Sequence, residues 1–552
     1  MFHDRIIVQR NVSIPMRDGV NLRADIYRPS NVDTPLPILL MRLPYGRAIA
    51  STVVYKHPSW YADRGYIVVI QEVRGTGNSQ GEFYPFKNEY SDGFDTVQWC
   101  IAEIPHNNGK LGMYGFSYQG VTQLQTAVMQ PQGLVTICPC MASADLYNGF
   151  LYWGGALCWE FVLTWGLQLM QIRAQHQKLE PLASNLLKLQ AEVKNWLHYL
   201  PINELPILQD EPLADFFCDW LSHCHSSDAY WQKLNPLTYF HNYDLPALHI
   251  AGWADIFIEG SVNTYFQARK YTKQPQYLII PPYQHFPWSS KVGDLDFSEY
   301  AMRDIDQLQI DWFDFWLKGI DNGIIQQKPM QLFLMMENHW LEMTDFPNES
   351  NLVLYLAEHG KLLHQSNSNF KLDSVLPDTF VYDPRNPTPS TAYSFCDQQA
   401  ITQRWDNLLY KSDVVTDITR VVGIPKLQMR ARTTARQIDW VIKLLDIFPD
   451  GQQILVTMGV LRTNTTPDRL QEYVICLRPT AYSFFSGHQI AVAIACSAFP
   501  MISRGDISQR ASDLTVETQQ IYPSSQLILP IWQADGHLYA SLSNAASCAK
   551  AD

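Results

Sequence analysis

The sequence predicts an α/β fold, a mostly parallel eight-stranded sheet carrying a helical insertion, followed by an all-β sandwich. Three observations predict it. Short apolar runs alternate with helical stretches over the first 325 residues. The alternation stops between about 141 and 240, where the chain turns Trp-, Leu- and Gln-rich. After Ile320, short β-rich runs follow one another, separated by turn residues. The 552 residues exceed one domain at a prior of about 150 residues each. With 46% hydrophobic residues they can fill large cores. The expected division is 1–140 and 241–324 for the two parts of the sheet domain, 141–240 for the insertion and 325–552 for the sandwich.

Val8 to Ile14 and Val20 to Tyr27 are β-rich runs on either side of Asp18-Gly19, a hairpin signal. Pro37 to Met41 and Tyr66 to Ile70 are short and apolar, as strands buried on both faces are. Lys110 to Phe116, Leu134 to Cys138, Ala247 to Ala251 and Tyr277 to Ile280 complete the eight. Helical stretches such as Asn88 to Glu103 and Val121 to Met129 lie between the later strands. The insertion after the sixth strand should lie over the strands' C-terminal ends, where ligands bind in open α/β sheets. Glu299 to Lys318 places Ile305, Leu308, Trp312, Phe315 and Trp316 on one face, with Gly319 just past the end, which predicts an amphipathic helix. The sandwich strands expected are Met330–Met335, Leu352–Leu356, Trp440–Leu445, Ile454–Leu461 and Ile490–Ile494, with Pro449-Asp-Gly451 as one of the turns.

A net charge of −13 argues against nucleic acid or an anionic membrane as partner. The N-terminus has no basic segment leading into an apolar run, so no secretory signal is expected. Ten cysteines are scattered without a CxxC framework, the close pairs being Cys138/Cys140 and Cys218/Cys224. That pattern suits free thiols in the cytoplasm. Gly149 to Met170 is long enough to span a membrane, but it carries Glu160 and no closely flanking Lys or Arg. A buried, pocket-lining helix is the expectation.

The stretch from Leu111 to Gly120 runs an apolar strand into Gly115-Phe-Ser117 and on into a helix-like segment. A serine on such a strand–turn–helix elbow projects its Oγ from the sheet, and the next backbone N–H, that of Tyr118, can stabilise an oxyanion. Gln119 stands where the strict Gly-x-Ser-x-Gly pattern has its second glycine, and Gly120 follows. A serine nucleophile needs a base, and the base needs a carboxylate. Asp255 follows the seventh strand and His285 the eighth, in the chain order an elbow serine requires. Asp255 also suits a helix N-cap. Ser117, Asp255 and His285 imply acyl transfer, with no cofactor and no metal.

Met16-Arg-Asp-Gly19, Arg42-Leu-Pro-Tyr45-Gly46, Arg74-Gly-Thr-Gly-Asn-Ser-Gln-Gly-Glu82, Gly115-Phe-Ser-Tyr-Gln-Gly120 and Gly252-Trp-Ala-Asp255 resemble the motifs of the cocaine esterase family. That family is related to X-Pro dipeptidyl-peptidases, α-amino acid ester hydrolases and glutaryl-cephalosporin acylases. Glu337-Asn-His-Trp340 and Tyr382-Asp-Pro-Arg-Asn-Pro387 extend the resemblance over nearly the whole chain. The resemblance implies an α/β-hydrolase domain with a helical cap and a C-terminal jelly roll. It implies a triad of Ser117, Asp255 and His285, and an oxyanion hole in which the phenol of Tyr45 joins the N–H of Tyr118. It places the apolar cap segment, with Trp153, Phe161 and Trp165, over the acyl pocket. The sequence departs from the family at Pro281-Pro-Tyr283, where Gly-Pro-Trp is usual, and at Ala254, where Tyr often stands. The reaction implied is hydrolysis of a small-molecule ester or amide through an acyl-enzyme. X-Pro dipeptidyl-peptidase or α-amino acid ester hydrolase activity is the alternative among enzymes, and a binding protein using the jelly roll is the alternative outside them. A homo-oligomer is left open.

Other signals are weaker. Arg74 to Gly81 invites a dinucleotide reading, but Gln80 stands where the third glycine is needed. Cys218 with His223-Cys224-His225 offers metal-ligand types without a completing pair, so a polar cap surface is expected. Asp210, Glu211, Asp215 and Asp219 read either as a solvated helix face or as a collar for a substrate's α-ammonium group.

Overall fold

Ten strands form the first sheet of the computed structural model, which describes residues 6–533 apart from 31–32, 49, 210–212, 348–349, 365–375 and 392–394. They are β1 (Ile6–Pro15), β2 (Asn21–Pro29), β3 (Leu36–Leu43), β4 (Ile67–Glu72), β5 (Asn107–Phe116), β6 (Leu134–Cys140), β7 (Ala247–Ile250), β8 (Gln276–Ile280), β9 (Met330–Leu334) and β10 (His339–Met343). The spatial order is β1-β2-β4-β3-β5-β6-β7-β8-β9-β10. From β4 to β9 all pairings are parallel. An antiparallel hairpin closes each edge. The first turns at Gly19, whose φ of 85° needs glycine and whose N–H donates to the Met16 carbonyl at 2.9 Å.

Eight of these strands are the ones the sequence predicts. The other two correct it. Met330–Leu334, expected to open the sandwich, pairs in parallel with β8, and His339–Met343 folds back onto it, so the sheet has ten strands rather than eight. β9 is buried along its whole length, and a five-residue apolar run carries no mark of which sheet will take it.

Helices cover both faces. α1 (Glu89–Glu103), α2 (Tyr118–Ala127), α3 (Trp159–His176), α4 (Asp215–Ser222), α5 (Ile258–Tyr271) and α6 (Ile305–Phe313) matter here. The helix expected over Glu299 to Lys318 is broken. A single turn at Glu299–Ala301 precedes α6, a π turn at Asp314–Lys318 follows it, and Gly319 ends it at φ 73°. Asp304 sets the start, its carboxylate accepting the Gln307 N–H at 3.0 Å. Gly112 of β5 makes room for this helix, because a Cβ there would lie 2.7 Å from the Phe313 ring.

The region 141–240 is helical, apart from a small ribbon pairing Tyr152–Trp153 with Ala156–Leu157. Its longest helix, α3, begins only at Trp159, with Glu160 in its first turn. Among the described residues, no helix is long and apolar enough to cross a membrane.

The C-terminal part is all-β, mostly antiparallel, with an eleven-stranded sheet that includes Asn351–Ala357, Gln437–Ile447, Gln453–Asn464 and Gln489–Ala495. The predicted Pro449-Asp-Gly451 turn joins two of these strands, with Gly451 at φ 95°. This part buttresses the rest at several points, among them the following two. Glu337, in the β9–β10 turn, accepts from Arg420 Nε and Nη2 at 2.7 and 2.9 Å. The cap ribbon presses on Val460, where a Cβ on Gly154 would lie 1.9 Å from the carbonyl oxygen.

Candidate active site

β5 ends at Phe116 and α2 starts at Tyr118, so the elbow is Ser117 itself. Its φ of 61° and ψ of −126° lie outside the regions open to most L-residues. Two glycines permit this bend. A Cβ on Gly115 would stand 2.6 Å from that of Gln119, and one on Gly120 would stand 2.5 Å from that of Ala142. Gln119, occupying the usual glycine position, folds back so that its amide oxygen accepts the Phe116 N–H at 3.3 Å. The Ser117 N–H donates to the Cys140 carbonyl at 2.9 Å, fixing the elbow to the end of β6.

Asp255 and His285 lie on loops that are zipped together. The Trp253 N–H donates to Pro281 at 3.0 Å and the Ala254 N–H to Tyr283 at 3.1 Å. Gly252 allows this approach, since a Cβ there would lie 2.3 Å from the Tyr283 oxygen. Asp255 is thereby fully buried, with Oδ1 2.8 Å from His285 Nδ1. Its side chain does not cap α5, whose N-cap position is Phe257. A carboxylate on Nδ1 holds the proton there and leaves Nε2 as the basic nitrogen. The neighbours of Ser117 touch both partner groups. The Phe116 ring lies 5.4 Å from the imidazole, and the Tyr118 ring lies 6.3 Å from that of Tyr45. No hydrogen bond joins Ser117 Oγ to His285 among the described contacts; such bonds are commonly long until substrate binds.

Tyr45 follows the end of β3 by two residues and turns inward between Pro44 and Gly46, whose φ is 92°. Its phenol oxygen accepts the indole N–H of Trp165 at 2.9 Å. Burial raises the Tyr45 phenol above its ordinary value, against a smaller pull from the Trp165 bond, so it stays a protonated donor at neutral pH. Three residues before it, Arg42 forms a buried ion pair with Glu89 at 2.9 Å. Tyr118 donates its hydroxyl to Glu89 at 2.9 Å and accepts the Phe86 N–H at 3.1 Å.

Aromatic rings wall one side. Trp165 is stacked between Phe161 and Trp220, at 5.4 and 5.1 Å. Phe257 stacks on Phe150 at 4.3 Å and turns edges to His285 and Phe161 at 5.1 and 5.3 Å. The structure thus brings Phe161 and Trp165 to the site. Trp153 shares their buried cluster, but Arg478 of the all-β part lies 3.2 Å over its ring. Phe150, Phe257 and Trp220 were not foreseen. The position of Phe257, two residues past Asp255, was the available signal.

The weaker motifs have structural partners. Asp215 is ion-paired with Arg173, and Asp219 accepts the Tyr84 hydroxyl at 2.6 Å. Asp210 and Glu211 lie outside the described residues. His223 stacks on Tyr230 at 4.5 Å. Among the described residues, no group of three or more His, Cys, Asp or Glu could hold a metal. In the Arg74 loop, a Cβ on Gly77 would strike the Glu72 carboxylate at 2.2 Å, and Arg74 is bound to Asp92 and Asp18.

Comparison with known proteins gives the family and the fold. Residues 18–287 match the family described as X-Pro dipeptidyl-peptidase (S15 family), and residues 322–526 match the X-Pro dipeptidyl-peptidase C-terminal non-catalytic domain. The chain is 31% identical to the cocaine esterase of Rhodococcus sp. (strain MB1 Bresler), over 90% of this chain and 92% of that one. It is 21% identical to a putative Xaa-Pro dipeptidyl-peptidase of Bacillus anthracis, over 92% of this chain and 84% of that one. Among solved structures, an aminopeptidase from a Thaumarchaeota archaeon superposes with a TM-score of 0.80 at 21% identity, covering 96% of this chain and 97% of that one. An α-amino acid ester hydrolase superposes with a TM-score of 0.76 at 22% identity, with the same coverage, and at this identity both show the fold alone. The chain belongs to the cocaine esterase family of α/β-hydrolases and is a serine hydrolase acting on ester or amide bonds.

Proposed function

We propose that Ser117, His285 and Asp255 are the catalytic triad of an esterase for compact apolar acyl groups, with Tyr45 and the Tyr118 N–H as the oxyanion hole. The observation that carries this reading is the 2.8 Å bond from buried Asp255 to an imidazole that packs on Phe116, next to the Ser117 elbow. His285 Nε2 takes the Ser117 proton as Oγ bonds to the ester carbonyl carbon. The tetrahedral oxyanion accepts from Tyr45 and Tyr118. Collapse breaks the bond to the alcohol oxygen, which leaves with the proton from His285. Water then repeats the sequence on the acyl-enzyme, releasing the acid and free Ser117.

Support for an apolar acyl group comes from Phe150, Phe161, Phe257 and Trp165 around His285 and Tyr45. Two of the cap carboxylates already have protein partners, Arg173 for Asp215 and Tyr84 for Asp219, which favours des-amino substrates over an α-ammonium group held by these two. On this reading residues 1–140 and 241–324 carry the chemistry, 141–240 the acyl pocket and 325–552 the buttress. Cys100, Cys138, Cys140, Cys158, Cys224, Cys476 and Cys496 are free thiols, which suits a cytoplasmic setting.

The test is a panel of aryl acetates, aryl benzoates, α-amino esters and Gly-Pro anilides, with Ser117→Ala as blank. Turnover led by benzoate or acetate esters supports the reading. Turnover led by amino esters or Gly-Pro anilides would replace the substrate class while keeping the triad.

A further inference from the structure

We infer that Trp165 is a positioning residue for the reaction: its indole N–H, donated to the Tyr45 phenol oxygen, fixes and polarises the hydroxyl that Tyr45 turns to the oxyanion. The inference rests on the oxyanion-hole reading above. A phenol O–H lies near the plane of its ring in either of two orientations, and the ring itself does not choose between them. At 2.9 Å the indole N–H occupies one face of that oxygen, so the O–H must point elsewhere.

The indole is itself held by packed rings. It is stacked at 11° to Phe161 and at 10° to Trp220, with Phe150 edge-on at 5.8 Å. Phe86 leans on it at 6.0 Å and in turn stacks on Tyr118 at 4.4 Å. One packed set of rings therefore ties the donor to Tyr45 and to the residue after Ser117.

The chemistry places the effect in the transition state. As the carbonyl oxygen becomes negative, Tyr45 donates more strongly and its own oxygen gains charge. A hydrogen bond to that oxygen strengthens in the same step, because linked hydrogen bonds polarise one another. Such a contribution lowers the barrier more than it tightens substrate binding. It also gives the cap a catalytic consequence, since Trp165 stands on α3.

The test is a double-mutant cycle of Trp165→Phe and Tyr45→Phe, read on aryl acetate and aryl benzoate, with active sites counted by a fluorophosphonate probe. A second arm replaces Trp165 by benzothienylalanine, which keeps the ring size and stacking but lacks the N–H. Trp165→Phe and the isostere should each lower kcat about 5- to 30-fold, as loss of one hydrogen bond allows. For the isostere, which keeps the pocket wall, the fall should be equal on both esters with KM little changed. In the Tyr45→Phe background the same changes should cost less than about 2-fold. Equal costs in both backgrounds, an isostere at wild-type kcat, or an isostere loss that grows with acyl size would overturn the inference. If Tyr45→Phe alone stays within about 3-fold of wild type, the oxyanion reading has failed instead.

Discussion

Arg42 and Glu89 face each other at 2.9 Å with both side chains shut off from solvent, and the pair is tied to the two residues assigned to the oxyanion hole, to one by chain and to the other by a hydrogen bond. Arg42 ends one link of this network three residues before Tyr45, and Tyr118 ends the other by donating to Glu89. Arg42 also donates to Gln71 at 2.7 Å and to the Glu89 carbonyl at 3.2 Å. Burial raises the Glu89 carboxyl, and Arg42 is the largest influence holding it ionised.

Glu89→Gln should therefore leave a buried guanidinium uncompensated and cost about 3–5 kcal/mol of stability. Arg42→Lys keeps the charge but not the forked contacts, and should fall between that variant and the wild type. Urea unfolding at pH 7 measures both. A Glu89→Gln chain within about 1 kcal/mol of wild type would show that the pair is not held as described.

Ser117→Ala and His285→Ala should each remove nearly all turnover, and the double variant should be little worse than either. Members of a triad act as one unit, so their losses do not add. Single-turnover kinetics on an activated ester decides it. More than about 10% residual rate in Ser117→Ala would move the nucleophile elsewhere.

Strand–helix alternation and the positions of Ser117, Asp255 and His285 were readable because each depends on local pattern: an apolar run, a turn, then the residue. What was not readable depends on distant partners. Met330–Leu334 has the composition of any buried strand, and only its pairing to Leu278 and its neighbours assigns it to the first sheet. The helix expected from 299 begins at 305 because the Asp304 side chain caps it, while hydrophobic spacing marks a face and not an end. Gln119 departs from the elbow pattern, but Gly120 supplies the close approach to β6 and the Gln119 amide closes the turn. The Trp165 bond to Tyr45 spans 120 positions, and nothing in either local sequence announces it.

Stability should carry a pH signature from the all-β part. Burial, reinforced by Asp439, raises the Glu517 carboxyl to about 7. The folded chain then keeps a proton that the unfolded chain releases near its ordinary value of 4.5. The group's contribution is fully present below that value and is lost as pH rises through about 7, so stability falls across the window. The fall is on the order of 1–3 kcal/mol, and Glu517→Gln should flatten it. Urea unfolding at pH 5 and pH 8 measures the slope. An unchanged slope in the variant would assign it to other groups.

Phe257 offers the sharpest test of the acyl pocket. It is almost fully buried, stacked on Phe150, and its edge meets the His285 ring. It therefore serves packing and site shape together, and the two must be separated. Phe257→Ala should cost about 3–5 kcal/mol of stability through the cavity it leaves. Phe257→Leu keeps most of the volume and should cost less, so it is the variant for kinetics. Both should loosen the imidazole and lower kcat on every ester by a shared factor. Specificity is the ratio between substrates and is free of that factor. If Phe257 bounds the acyl group, Phe257→Leu should change the ratio of kcat/KM for benzoate over acetate esters by about 10- to 100-fold, the range one apolar contact can supply. Active-site titration corrects for any unfolded fraction. A ratio within about 2-fold of wild type, with kcat lowered on both esters, would confine Phe257 to supporting His285 and place the acyl group against Phe161 and Trp165 alone.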